Sequence, residues 1–338
     1  MRQIPIIGIT MGDPTGIGPE IIVKALSCTE ITSNFYPLVI GAPRLIEQLA
    51  RKSYFSHVEV IWEVPETPPP PGTIRVFDPY EADLSRLLPG KPSVISGEAS
   101  LAYIHKAVEL AQVGQIDAIT TAPISKEAIK AAGSPYPGHT EFLADLTKSP
   151  THAMLLVGGS LRVVLATIHI PLAEVPIHLK TQGILDVIHL VDANLNRLGA
   201  KEKRIAVAAL NPHAGESGIF GNEEQTRITP AIEQAQKEGI AVSGPYPADS
   251  LFWRAAQGEF DAVVAMYHDQ GLIPLKLLAF HTGVNVTLGL PIIRTSPDHG
   301  CAFNLAGKNQ ANPSSMIEAI KLALRMALYK ESSKQNDH

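Results

Sequence analysis

Short apolar runs at residues 4–10, 38–41, 116–121, 161–167, 204–210 and 262–266 recur along the chain, with helical patterns between them. An unbroken apolar run of this length reads as a buried strand, and strands that alternate with helices build an α/β layer. At 338 residues, 45% of them hydrophobic and 18% charged, the chain exceeds what one core holds, so it is expected to form two domains around a cleft.

Three of the runs end alike. Residues 161–167 are followed by His169, 204–210 by Asn211-Pro212-His213, and 262–266 by Tyr267-His268-Asp269. Open α/β sheets bind ligands beyond the carboxyl ends of their strands. One such histidine is more often a hydrogen-bonded core residue than a ligand. If the three strands are parallel neighbours, however, all three imidazoles emerge on one sheet edge. Three neutral imidazoles with an open fourth position form a common catalytic metal site.

Lys and Arg total 28 against 33 Asp and Glu, a net charge of −5, and no basic run interleaved with aromatics appears, so a nucleic-acid partner is not expected. Two cysteines, Cys28 and Cys301, are too few for a disulfide framework or a thiolate metal cage. The first residues lack a signal-peptide pattern and no apolar stretch approaches a membrane span, so the expectation is a soluble cytoplasmic protein.

Residues 11–20 form a glycine-rich turn into a helix with Pro19 at its start, but the spacing is neither G-x-G-x-x-G nor a P-loop. The stretch Glu66-Thr67-Pro68-Pro69-Pro70-Pro71-Gly72 reads as a stiff surface loop. Ser125 suits a helix cap, as does Thr140, whose neighbour His139 is a candidate for substrate contact. Gly158-Gly159-Ser160 predicts a hairpin, and helices are expected over 178–198, 223–238 and 315–329. Residues 245–249 read as a loop and the polar tail 330–338 as frayed.

The motifs GDPTGIGPE (12–20), GHTE (138–141), TIHIPL (167–172), NPHAGE (211–216), PADS (247–250), MYHDQG (266–271) and GVNVTLGLPIIRTSPDHG (283–300) span nearly the whole chain. Together they closely resemble the 4-hydroxythreonine-4-phosphate dehydrogenases of pyridoxal phosphate biosynthesis. The resemblance implies two α/β/α domains like those of isocitrate and isopropylmalate dehydrogenases, one from residues 1–135 plus about 296–338, the other from about 136–295. It also implies a homodimer whose active site lies in the cleft and at the subunit interface. NAD or NADP would bind there without a dinucleotide fingerprint, at residues the resemblance does not supply.

Position by position, His169, His213 and His268 match the family's ligands for one divalent metal per subunit (Zn, Mg or Co), shared between subunits. His139, Thr140, Lys276, Asn285 and Arg294 match its substrate contacts. The implied reaction oxidises 4-phosphohydroxy-L-threonine to 2-amino-3-oxo-4-phosphooxybutanoate, which decarboxylates to 3-amino-2-oxopropyl phosphate. Asp249 and Asp269 are candidates for the proton acceptor, with Asp249 preferred because a carboxylate beside a ligand histidine often serves to orient it.

Two alternatives stand beside this reading. Thr15 and Ser217 depart from the family's usual alanine and glycine, which keeps open a sister group acting on 4-phospho-D-threonate or 4-phospho-D-erythronate. A phosphate acyltransferase has a similar fold, but acyl transfer to phosphate gives the three histidines no shared task.

Overall fold

The structure is a computed structural model that describes residues 4–28, 34–51, 53 and 55–335. In chain order the first elements are β1 (Ile6–Thr10), α1 (Gly18–Leu26), β2 (Tyr36–Ile40), α2 (Pro43–Ala50), β3 (His57–Ile61), β4 (Thr73–Phe77), α3 (Val94–Gln112), β5 (Ala118–Thr121), α4 (Lys126–Ala131) and α5 (His139–Leu146). Then follow β6 (Ala153–Gly158), β7 (Leu161–Leu165), α6 (Thr181–Asn194), β8 (Ile205–Ala208), α7 (Thr229–Lys237), β9 (Val242–Tyr246), α8 (Ala248–Ala256), β10 (Ala262–Ala265), α9 (His268–Ala279), β11 (Val284–Leu288), β12 (Arg294–Pro297) and α10 (Ser314–Gln335). Short helical turns join several of them.

The chain divides into two compact units, Met1–Pro150 with Leu290–His338, and Thr151–Gly289. In the first, the strands lie in the order β3-β4-β2-β1-β5-β12 and every pair is parallel. β1 is buried along its whole length, as an unbroken apolar run requires. Pro19 sits at the start of α1, where its missing N–H costs nothing. Lys24 ties that helix to the last segment of the unit, bonding Glu20 at 2.8 Å and the carbonyls of Asn309 and Ala311.

The second unit orders its strands β11-β6-β7-β10-β8-β9. The expected hairpin is present: β6 and β7 pair antiparallel, with Gly158 opposite Leu161 and a two-residue turn between. Beyond it, β7, β10, β8 and β9 are parallel. Val163, Leu165, Val263 and Ala265 from these strands pack with Leu251 and Phe252 of α8 and Leu272 and Leu275 of α9. Burying each of the larger side chains stabilises by about 1.5–3 kcal/mol, and Leu275→Ala would cost about 2–5 kcal/mol because the void cannot close fully.

Several boundaries differ from the sequence reading. Residues 245–249 are not a loop, since β9 reaches Tyr246 and α8 begins at Ala248. Pro245 is tolerated there because β9 is the edge strand, where a missing donor breaks no ladder. The helix expected over 223–238 is a π-helical turn, Glu224–Ile228, followed by α7. The tail expected to fray is helical as far as Gln335, and residues 336–338 lie outside the described residues. Among the described residues no helix is long and apolar enough to cross a membrane.

Candidate active site

The three strands that lead to histidines are neighbours in the order β7-β10-β8, all parallel. Two buried polar side chains stitch their ends together. Thr167 donates from Oγ1 to the carbonyl of Met266 at 2.7 Å, joining the turn after β7 to the turn after β10. Gln270 accepts from the Met266 N–H at 2.7 Å and donates to the carbonyl of Ala209 at 2.7 Å, joining β10 to the end of β8. These bonds bring His169 and His268 together, with ring centroids 5.6 Å apart and planes tilted by 42°.

His268 opens α9, and its Nδ1 lies 2.7 Å from Asp269 Oδ1. A carboxylate only accepts, so this bond places the proton on Nδ1 and leaves the Nε2 lone pair free for a cation. Two imidazoles that each hold one ion at about 2 Å have centroids roughly 5 Å apart, so this pair fits a metal ligand pair.

His213 is built differently. Residues His213, Ala214, Gly215, Glu216 and Ser217 all have φ between 43° and 78°, a run of left-handed backbone after β8. Each non-glycine residue there carries a strain of about 1–2 kcal/mol. Gly215, at φ 78°, relieves one position, and a Cβ on it would stand 2.7 Å from Glu224 Oε2. The His213 ring is exposed and its nearest ring neighbour is Phe220, at 6.4 Å between centroids. Among the described residues no three His, Cys, Asp or Glu side chains gather to hold a metal, so one chain assembles the pair His169 and His268 without His213.

The first unit holds a buried polar group of its own. Arg294 begins β12, is 3% exposed, and donates from Nε and Nη2 to Thr121 Oγ1 at 3.2 and 2.7 Å. Burial pulls its guanidinium below the ordinary arginine value, to about 9, so it remains cationic at neutral pH. Burial, and after it the charge of Arg294, hold His139 well below the ordinary imidazole value of 6.5, so this ring is neutral. Its Nε2 is sealed from solvent without a hydrogen-bond partner in the protein. A cation beside a neutral imidazole with an unused nitrogen suits an anionic ligand that also carries a hydroxyl.

Thr140 is buried in this group but does not cap its helix. Gly138 occupies the N-cap position of α5, and the threonine lies inside the first turn. Ser125 does cap α4, accepting from Ala128 N–H at 3.1 Å. The glycine-rich turn after β1 is explained by packing: Gly12 has φ 70°, and a Cβ on it would meet the Pro123 carbonyl oxygen at 2.3 Å. Asp13 in that turn is fully buried and accepts from Thr15 N–H and Oγ1 at 2.9 and 2.6 Å.

In the second unit Lys276 lies on α9, with Nζ 5.8 Å from the centroid of the Phe280 ring. Asn285, on β11, keeps Oδ1 buried without a partner in the protein. Asp249 is exposed in the first turn of α8 and accepts only its neighbour's amide, Ser250 N–H, at 2.8 Å among the hydrogen bonds observed. Thr121, Thr167, Gln270 and Glu224 were not singled out from the sequence. Thr167 and Gln270 lie within the motifs TIHIPL and MYHDQG, so the motif boundaries were the available signal.

The sequence profile of the pyridoxal phosphate biosynthetic protein PdxA matches residues 33–323. The chain belongs to the PdxA family. A relative from Desulforapulum autotrophicum named 4-hydroxythreonine-4-phosphate dehydrogenase is 50% identical over 96% of each chain. A Salmonella typhimurium relative named D-threonate 4-phosphate dehydrogenase is 48% identical over 95% of this chain and 98% of its own. The crystal structure of a PdxA relative, 4-hydroxythreonine-4-phosphate dehydrogenase from Klebsiella pneumoniae, superposes with a TM-score of 0.87 at 42% identity, covering 96% of this chain and 99% of that one. At 14% identity and a TM-score of 0.50, a β-decarboxylating dehydrogenase from Thermococcus kodakarensis shares the fold, as expected from the sequence.

Proposed function

We propose that the chain is a dehydrogenase that oxidises 4-phosphohydroxy-L-threonine with NAD or NADP, giving 2-amino-3-oxo-4-phosphooxybutanoate and, after loss of carbon dioxide, 3-amino-2-oxopropyl phosphate. The observation that carries this reading is the His169–His268 pair, with Asp269 on the far nitrogen of His268, at the end of parallel strands in a PdxA chain. The acyltransferase alternative gives this pair no task.

His169 and His268 would hold one divalent cation, Zn, Mg or Co, with His213 of a second subunit as the third ligand. Such a cation lowers the pKa of a bound hydroxyl and polarises the carbonyl that replaces it. Arg294 and Lys276 neutralise the phosphate and carboxylate ends of the substrate, the arginine through paired N–H groups. His139, neutral at working pH, Thr140 and Asn285 bond the remaining polar groups. Asp249 takes the hydroxyl proton while the hydride on the same carbon leaves for the nicotinamide, so the carbinol loses two electrons and two hydrogens in all.

Homodimer formation follows from the need for a third ligand and has support in the surface. Ile273, Leu277 and Phe280 on and after α9 are 59%, 82% and 69% exposed, spaced to form one apolar stripe along the helix that His268 opens. We place the enzyme in the cytoplasm, with a small phosphorylated substrate as its partner.

The near-equal identity to relatives named for 4-hydroxythreonine-4-phosphate and for D-threonate 4-phosphate supports a second reading, oxidation of 4-phospho-D-threonate or 4-phospho-D-erythronate by the same residues. The test is a chelator-stripped preparation given each substrate in turn, with NAD or NADP and added Zn, Mg or Co. Metal-dependent formation of reduced nicotinamide with 4-phosphohydroxy-L-threonine is the expected result. Turnover confined to the sugar acid phosphates would select the second reading, and no turnover with any would defeat both.

A further inference from the structure

We propose that Glu224 is the positioning residue for His213, holding the left-handed turn in the shape that presents the imidazole to the metal; this rests on reading His213 as a ligand. A run of left-handed backbone in which four of five residues are not glycine persists only when its surroundings fix it. At this turn a single buried carboxylate does much of the fixing. Glu224 is 3% exposed, and its Oε1 accepts the backbone N–H groups of Leu210 and Asn211 at 2.9 and 2.7 Å. Its Oε2 accepts Asn211 Nδ2 at 3.0 Å, and Glu223 Oε2 accepts the same amide at 2.8 Å.

The turn is laid directly on that carboxylate. A Cβ on Gly215 would stand 2.7 Å from Glu224 Oε2, and Phe220 N–H closes the far side by donating to the Gly215 carbonyl at 3.1 Å. Glu224 also opens the π-helical turn Glu224–Ile228, and the wider helical ring there is a local irregularity of the kind found at functional sites. A buried carboxylate is tolerated only where its acceptors are used, and here the donors come from the two residues that lead into Pro212 and His213. The residue therefore fixes the chain just after β8 ends and sets how the histidine leaves it.

Glu224→Ala would leave the backbone N–H groups of Leu210 and Asn211 without their acceptor, leave Asn211 Nδ2 with Glu223 alone, and open a void beneath Gly215, releasing the turn toward ordinary backbone. Loss of the groups that orient a ligand histidine lowers metal affinity by about 10–100-fold. Glu224→Gln keeps one oxygen for the two backbone N–H groups but sets its NH2 against the Asn211 NH2, a donor facing a donor, so it should recover only part of the loss.

The test uses full-length metal-free protein. Zinc affinity is measured by chelator competition and amide hydrogen exchange is followed across residues 210–221, for the parent, Glu224→Ala, Glu224→Gln and His213→Ala. The expected result is weakened zinc binding with faster exchange in Glu224→Ala, values between parent and Glu224→Ala in Glu224→Gln, and weakened binding with parent exchange at Leu210 and Asn211 in His213→Ala. Parent affinity or parent exchange in Glu224→Ala would overturn the proposal alone. Parent affinity in His213→Ala would overturn the ligand reading and the proposal with it. Should Glu224→Ala not fold, Glu224→Asp, which withdraws the carboxylate by one methylene, gives the same readings.

Discussion

Arg294 donates to Thr121 Oγ1 through both Nε and Nη2, at 3.2 and 2.7 Å, and so holds its guanidinium plane fixed from a neighbouring strand. Burial of this cation is visible in its fall to about 9, and the anionic ligand proposed for it would offset part of that cost. Arg294→Ala should therefore raise KM more than it lowers kcat, by an amount equivalent to about 2–5 kcal/mol in kcat/KM. Arg294→Lys should recover little, because an ammonium cannot reproduce the paired geometry. Steady-state kinetics of both variants checks this.

Asp269 accepts from His268 Nδ1 and lies away from the nitrogen left for a cation. Asp269→Asn leaves the fold intact but no longer selects the tautomer. It should weaken divalent-metal binding by about 10–100-fold and leave the thermal midpoint of the metal-free protein within about 2 °C of the parent. Chelator competition and a thermal scan give the two numbers.

His139 supplies a pH signature. Its folded value is depressed below 6.5 by burial and by Arg294, so the unfolded chain binds this proton more readily than the folded one. Stability from this group is complete above about 6.5 and is lost as the pH falls from there toward the depressed folded value. The parent should lose more stability than His139→Gln over that acid range, with the stability difference between the two independent of pH above neutrality. Denaturant unfolding at several pH values measures it.

Leu277, 82% exposed on α9, lies in the stripe assigned to the partner subunit. Leu277→Glu should yield monomers by sedimentation and lose nearly all turnover while keeping the parent circular dichroism spectrum. A monomer with full activity would remove the need for a second subunit.

What was legible in the sequence follows from period and spacing. Within the runs at 161–167, 204–210 and 262–266 the strands β7, β8 and β10 are buried but for the half-buried Arg162, so their apolar character was nearly continuous and their histidines were found beyond the carboxyl ends of those strands. What was hidden depends on contacts distant in sequence or on backbone that residue type disfavours. Ala214, Glu216 and Ser217 adopt left-handed φ values that their side chains oppose, and the chain is anchored where it enters that turn by the buried Glu224, which accepts the N–H groups of Leu210 and Asn211. Thr140 has the chemistry of a cap, yet Gly138 takes the place because the threonine is drawn into the buried first turn. Thr121 gains its role from Arg294, 173 positions away.

The most direct test of the account is a crystal structure of the zinc-loaded protein with anomalous scattering recorded at the metal edge. The prediction is one zinc per subunit, roughly 2.0–2.3 Å from ring nitrogens of His169 and His268 of one subunit and of His213 of the other. A zinc bound elsewhere, or His213 nitrogens remote from the His169–His268 pair in every pairing of subunits, would contradict it.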